Sequence, residues 1–192
     1  MSFSYSTVSI GSTAYDVYGD QDAADNYLAA TITASGTAWA KASTTLKAQA
    51  LVSSTRWLDQ GAWLGAMTDS TTPQALQFPR TGLTLNGQAV DANSIPLIIE
   101  QACFELSAML VADPNLRSTM LNPQVREQHA GSAGQSFFRP SSVQVLSLFP
   151  TIIQKMVLPF LGGGQAVTGA VPNDVCDKSR ILDHPYNLNH GL

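Results

Sequence analysis

Charge is scarce in this sequence. Asp, Glu, Lys and Arg make up only 12% of 192 residues, against a usual share of about 25%. Its ten Lys and Arg are scattered, and net charge is −4. A protein that grips a phosphate backbone concentrates basic side chains on one face, so nucleic-acid grip is not the expected main activity. Cysteine is nearly missing: Cys103 and Cys176 form no CxxC and have no metal-ligand spacing. No disulfide framework is therefore expected, and a reducing compartment fits. Cys103 lies in an apolar run and reads as a small buried hydrophobe. No apolar stretch nears the ~20 residues of a membrane span. Met1-Ser2-Phe3-Ser4-Tyr5 has neither the basic nor the apolar region of a secretory signal.

Catalytic patterns are missing too. The histidines are His129, His184 and His190, all in segments expected to be loop or arm. Gly131-Ser132-Ala133-Gly134-Gln135-Ser136 is not the GxSxG elbow of a hydrolase. Glu100 and Glu105 are five residues apart, off a common helical face, and read as solvated. Gly162-Gly163-Gly164 lacks the Lys-Ser/Thr of a phosphate loop and reads as a hinge. The expectation is a non-enzyme with no cofactor and no metal.

What is present is a 44% hydrophobic chain whose polar residues are mainly Ser, Thr, Gln and Asn. Such a surface suits a protein packed against neighbours. Thr7-Val8-Ser9-Ile10, the pair Gly11-Ser12, and Ala14-Tyr15-Asp16-Val17-Tyr18 predict a β-hairpin. Asp20 predicts the cap of a first helix to about Ala30, with Asp22 and Asp25 favourable at its positive end and Ala24, Tyr27 and Leu28 on its apolar face. Thr33 to Thr37 is expected to break it. A second helix is predicted from Thr37 to Gln60, with Trp39, Ala42, Leu46, Ala50 and Trp57 near one face and Gly61 as its stop. Residues 61–94 look irregular, with a small hairpin around Asn86-Gly87. A third helix starts near Ser94-Ile95-Pro96 and ends at Asp113-Pro114. Ile95, Ile98, Ile99, Ala102, Leu106, Met109 and Leu110 form its stripe, with Ser107 off it. Residues 115–142 read as a loop. A last helix runs from about Phe149 to Leu161 with Ile152, Ile153, Met156, Val157 and Phe160 as its stripe.

The expected fold is mainly α: a bundle of about four helices with a small β-hairpin element and a long extended C-terminal arm. Residues 1–161 would form the helical domain with its N-terminal hairpin, and 162–192 the arm.

An ordered series of short motifs adds a resemblance. Arg56-Trp57, Gly61, Gln74-Ala75-Leu76-Gln77-Phe78-Pro79-Arg80-Thr81-Gly82, Ile95-Pro96 and the closing Phe149-Pro150 to Leu161 helix follow one another. Over residues 5–161 the chain resembles the head–tail adaptor (connector) proteins of tailed bacteriophages, whose relatives carry the label DnaT-like single-stranded-DNA-binding protein. Phe78 stands where that pattern has Trp, and the stretch Gly131 to Arg139 lacks its alternating strand.

The resemblance implies a structural subunit of the virion, assembled in the host cytoplasm. It implies a homo-oligomeric ring of about twelve copies, a dodecamer, beneath the portal protein. Its partners would be the portal and a tail or head-completion protein, with DNA passing through the channel unread and no membrane contact. The alternative, from the family label, is a single-stranded-DNA-binding module, which would use aromatic rings in a basic groove.

Trp39, Trp57, Phe78, Ile98 and Leu106 are the expected core. Trp57, Trp63 and Phe78 could instead stack on bases, but packing is the better reading without a basic groove. Arg80 is expected at an interface or paired with Asp59, its planar fork suiting a carboxylate. Phe137 and Phe138 are candidate interface anchors. The arm, with Gln165, Val175, Leu182, Tyr186 and Leu192, is expected to dock on the portal or an adjacent subunit.

Overall fold

The computed structural model describes residues 4–69, 74–121, 127–130, 133–136 and 148–162, with only the backbone described at 121, 127–130 and 133–136. The expected hairpin forms. β1 (Ser6–Ile10) and β2 (Thr13–Val17) pair antiparallel, Ser6 opposite Val17 and Ile10 opposite Thr13. Gly11 takes the left-handed conformation at the turn (φ +64°), which costs a glycine little. Val8 and Val17 face the core.

α1 (Gln21–Ala29) begins where Asp20 accepts a hydrogen bond from the Ala23 N–H at 2.7 Å. Ala24 and Leu28 are its buried residues. The expected break near Thr33 is also a start. Thr33 caps α2 (Ala34–Lys41) by accepting the Gly36 N–H at 2.9 Å. The single second helix is therefore corrected to two. Ala42 is extended, and Ser43 caps α3 (Thr44–Leu58) by accepting the Leu46 N–H at 3.2 Å. Propensity alone would carry a helix through Ala42-Ser43, but a serine that can cap competes with continuation. Leu46, expected on the core face, is exposed.

α4 (Leu97–Ala112) is the axis of the fold and packs against α1, α2 and α3. Pro96 occupies its cap position. Neighbours on several sides explain why α4 is not one-sided. Cys103, Phe104 and Ser107 are buried along with Ile99, Ala102 and Leu106, as expected of a helix enclosed by others. Ile98 is half-buried against the core. Its six buried apolar side chains, of which Ile99, Phe104 and Leu106 contribute about 1.5–3 kcal/mol each, make α4 the main apolar anchor.

Short ribbons occupy the stretch that reads as irregular. β3 (Ala66–Met67) pairs with β4 (Arg80–Thr81), and β5 (Thr84–Leu85) with β6 (Gln88–Ala89). Asn86 and Gly87 both have positive φ, 51° and 79°, the signature of the tight hairpin turn their sequence predicts. The expected loop at 115–142 is corrected as well. It contains α5 (Leu116–Leu121) and a hairpin of β7 (Glu127–Ala130) and β8 (Ala133–Ser136). α6 (Thr151–Val157) continues as a 3-10 turn over Leu158–Phe160 and packs on α4. Ile153, Val157 and Phe160 are buried, while Ile152 is exposed.

The expected bundle of about four helices is thus not the architecture. Among the described residues there are six α-helices, α1, α2, α3 and α6 packing against α4, and eight strands form four separate two-stranded ribbons. Caps divide the long helix and turn residues convert loops to ribbons. The proposed arm, with Gln165, Val175, Leu182, Tyr186 and Leu192, lies outside the described residues, as do Phe137 and Phe138. No helix among the described residues is long and apolar enough to cross a membrane.

Candidate functional site

The motif residues converge where α3 ends. After Leu58 the chain leaves the helix, and its backbone groups lose helical partners. Side chains replace them. Trp63 donates its indole N–H to the Leu58 carbonyl at 3.1 Å. Its ring meets Phe78 edge-on, centroids 5.0 Å apart, and stacks on Phe149 at 6.1 Å. Phe78 also meets Tyr18 and Phe160 edge-on at 6.0 and 6.4 Å. These offset and edge-on geometries are the favourable ones for aromatic pairs. Phe78 precedes Pro79 through a cis peptide bond.

Arg80 sits beneath this cluster, only 8% exposed. Its Nε donates to the Leu64 carbonyl at 2.7 Å. Nη1 reaches the Gln77 carbonyl and its Oε1 at 3.2 and 3.1 Å. Nη2 reaches the carbonyls of Gly65 and Trp63 at 2.8 and 3.4 Å. A guanidinium has five N–H donors, and these five contacts match them. Burial pulls the Arg80 pKa below its ordinary value. Gly65 has φ +72°, and a Cβ there would strike the Thr81 carbonyl, so the loop can close on Arg80 only with glycine at that position.

The expected Arg80–Asp59 pair is not formed. Asp59 accepts the Tyr18 hydroxyl and, through the same Oδ1, the Gln77 N–H at 3.2 Å. The Tyr18 oxygen accepts the Phe78 N–H at 3.2 Å. Backbone carbonyls won over the carboxylate because residues 63–65 wrap the guanidinium, while Asp59 closes the C-terminal end of α3. Burial, the Asp59 charge and its hydrogen bond push the Tyr18 pKa far above the ordinary range. Burial raises the Asp59 carboxyl, against the lowering effect of its two hydrogen bonds.

Trp57, Trp39 and Trp63 are all buried. Trp57 donates to the Leu148 carbonyl at 2.8 Å, and Arg117 lies over its ring at 5.6 Å. Trp39 donates to Asp25 at 2.6 Å. Asp25 also pairs with Lys47 at 2.8 Å, and Lys47 lies over the Trp39 ring at 5.4 Å. Arg56 covers Tyr15 at 5.6 Å. Of the six basic residues with described side chains, four are thus engaged with other parts of the body. Lys41 and Lys155 are exposed on separate helices.

Buried Cys103 lies between Ser54 and Thr55, at 3.4 and 3.5 Å, and burial raises its thiol, which keeps it from nucleophilic chemistry. Among the described residues no group of three or more His, Cys, Asp or Glu could hold a metal. His184 and His190 lie outside the described residues, and so does Cys176.

Phe149, Phe160, Tyr18 and Asp59 complete a cluster that sequence reading assembled only in part. Phe149 and Phe160 stand some 70 residues or more beyond Phe78, and no local period links them. The available signal was Gly65 beside a buried tryptophan, since close backbone approach demands glycine.

Fold and cluster together define a small mixed α-helical and β-ribbon protein whose Trp57 and Phe78-Pro79-Arg80 build its interior. A family model described as "Putative DnaT-like ssDNA binding protein" matches residues 7–171, and the chain belongs to this DnaT-like ssDNA-binding protein family. No curated protein and no solved structure matches it.

Proposed function

We propose that this chain is a non-catalytic structural subunit that works by assembly, of the head–tail adaptor type its motifs resemble. In this reading copies close into a ring of about twelve beneath a portal protein, in the virion. They extend a DNA channel and meet a tail or head-completion protein on the far side. The observation that carries it is the inward direction of the motif. Trp57, Trp63, Phe78 and Arg80 are buried and bonded within the subunit. They make one rigid body and leave the outer surface for contacts. Exposed Leu97, Ile152, Leu64 and Leu158 add apolar area for such contacts.

The second reading is a single-stranded-DNA-binding module, and the family description favours it directly. Binding a strand needs rings open to bases and a basic track. The tryptophans of the body are buried, and most of its described basic side chains are engaged internally.

One pair of measurements separates the two. Electron microscopy of the chain with its portal should reveal closed rings. Fluorescence anisotropy with a labelled single strand should show no binding at micromolar protein. Tight binding that weakens steeply with salt, without rings, overturns the adaptor reading and supports the second.

A further inference from the structure

The hairpin of α1 and α2 presents an exposed surface poor in charge. From Tyr27 to Ala40 the chain carries no charged side chain, although Ala29, Ala30, Thr33, Ala34, Thr37 and Ala40 are exposed. Depletion of charge is the compositional mark of an interface core. Ile32 stands in the middle, fully exposed. Its neighbours are tied down. The Thr31 hydroxyl donates to the Leu28 carbonyl at 2.9 Å, and Thr33 holds the Gly36 N–H at 2.9 Å. Ile32 is thereby presented as a fixed knob, which lowers the ordering cost of docking it.

A cavity of about 210 Å³ opens on the same hairpin, lined by Leu28, Gly36, Trp39 and Ala40 together with the Asp25–Lys47 pair. Gly36 lies against the hydroxyls of Thr31 and Thr33, so the cavity wall and the knob share one loop. Ligand pockets usually span about 300–1,000 Å³. This one is too small for a nucleotide and suits one branched aliphatic side chain. The subunit's own Ile32 points into solvent and leaves it open.

We propose that this face docks a second copy of the chain, the Ile32 of each copy entering the α1–α2 cavity of the other. Knob and cavity belong to one patch, so the contact is two-fold and self-complementary. No like charges oppose it between Tyr27 and Ala40. The contact is separate from the head-to-tail contacts of a ring and holds equally if the chain binds single-stranded DNA.

Sedimentation velocity of the full chain, from micromolar to sub-millimolar concentration, tests it. The wild type should pass from monomer to dimer. Ile32→Asp and Ala40→Phe, both at exposed positions, should each weaken dimerisation at least tenfold, about 1.4 kcal/mol or more, with unchanged melting. Ile32→Asp keeps an open cavity, and Ala40→Phe keeps the knob. Mixed together, they should form a heterodimer tighter than either homodimer. A wild type that stays monomeric throughout, or an Ile32→Asp dimer as tight as the wild type, overturns the proposal.

Discussion

The α3–α4 interface and the stretch from Asp59 to Leu85 bury polar groups in opposite ways. Between the helices, Ser54 donates to the Ala50 carbonyl at 2.8 Å and Ser107 to the Cys103 carbonyl at 2.6 Å. Both acceptors lie one turn back on the same helix, where the backbone already has its ladder. These hydroxyls satisfy themselves and meet each other across the interface. In the Asp59–Leu85 stretch the ribbons are two residues long. There the backbone depends on side chains: Arg80 on four carbonyls, Asp59 on the Gln77 N–H, and Gln74 on the carbonyls of Leu76 and Pro79 at 2.8 and 3.0 Å. Where regular structure ends, side-chain polar groups take over its work, and each of them becomes harder to replace.

The largest expected effect falls on the helical side. Trp57→Ala removes a buried ring, leaves the Leu148 carbonyl without its donor and takes away the surface under Arg117. Chemical denaturation should show a loss of about 3–5 kcal/mol. Near-native stability would mean that the α3–α5 side is not anchored by this ring. Next comes the irregular side. Arg80→Met keeps the length of the side chain but strips the donors from the carbonyls of Trp63, Leu64, Gly65 and Gln77. A loss of about 2–3 kcal/mol is expected. Arg80→Lys should recover less than half of it, because an ammonium lacks the planar fork. Full recovery by lysine would reduce Arg80 to a simple charge.

A pH series sharpens the comparison. Burial raises the carboxyls of Asp59 and Glu100 above their ordinary values. The folded state therefore holds protons that the unfolded state releases. The stability linked to these two groups is fully present below their ordinary values, about 3.9 and 4.3, and is lost as pH rises through the raised ones. Asp59→Asn keeps an oxygen acceptor for Tyr18 and Gln77 and cannot ionise. Its melting temperature should fall less steeply than that of the wild type as pH rises above about 4. Identical slopes would remove Asp59 from the balance. The smallest effect is expected from Ser107→Ala, since the Cys103 carbonyl keeps its helical partner. It should cost under about 1 kcal/mol. A loss as large as that of Arg80→Met would erase the distinction between the two regions.

Local signals were legible wherever one residue acts on its own neighbours. Asp20 capped α1, Gly11-Ser12 and Asn86-Gly87 turned their hairpins, and Asp113 closed α4. Trp39, Trp57, Phe78 and Leu106 were readable as core from apolar character alone, and they are buried. The break at Ala42-Ser43 was harder to read. A capping serine inside a helix-prone run can cap or continue, and only the packing of α2 and α3 against α4 decides between them.

The sequence by itself determined where α1 and the tight hairpins at Gly11-Ser12 and Asn86-Gly87 begin, that the tryptophans would be inside, and that few charges would cover the surface. These follow from backbone propensities and from transfer out of water, which act over a few residues. Tertiary structure alone decided the partner of Arg80. Asp59 and the carbonyls of residues 63–65 all compete for a guanidinium at similar separations along the chain. The choice depends on which groups the closing of the loop brings within 3 Å or so, and that distance is a property of the fold.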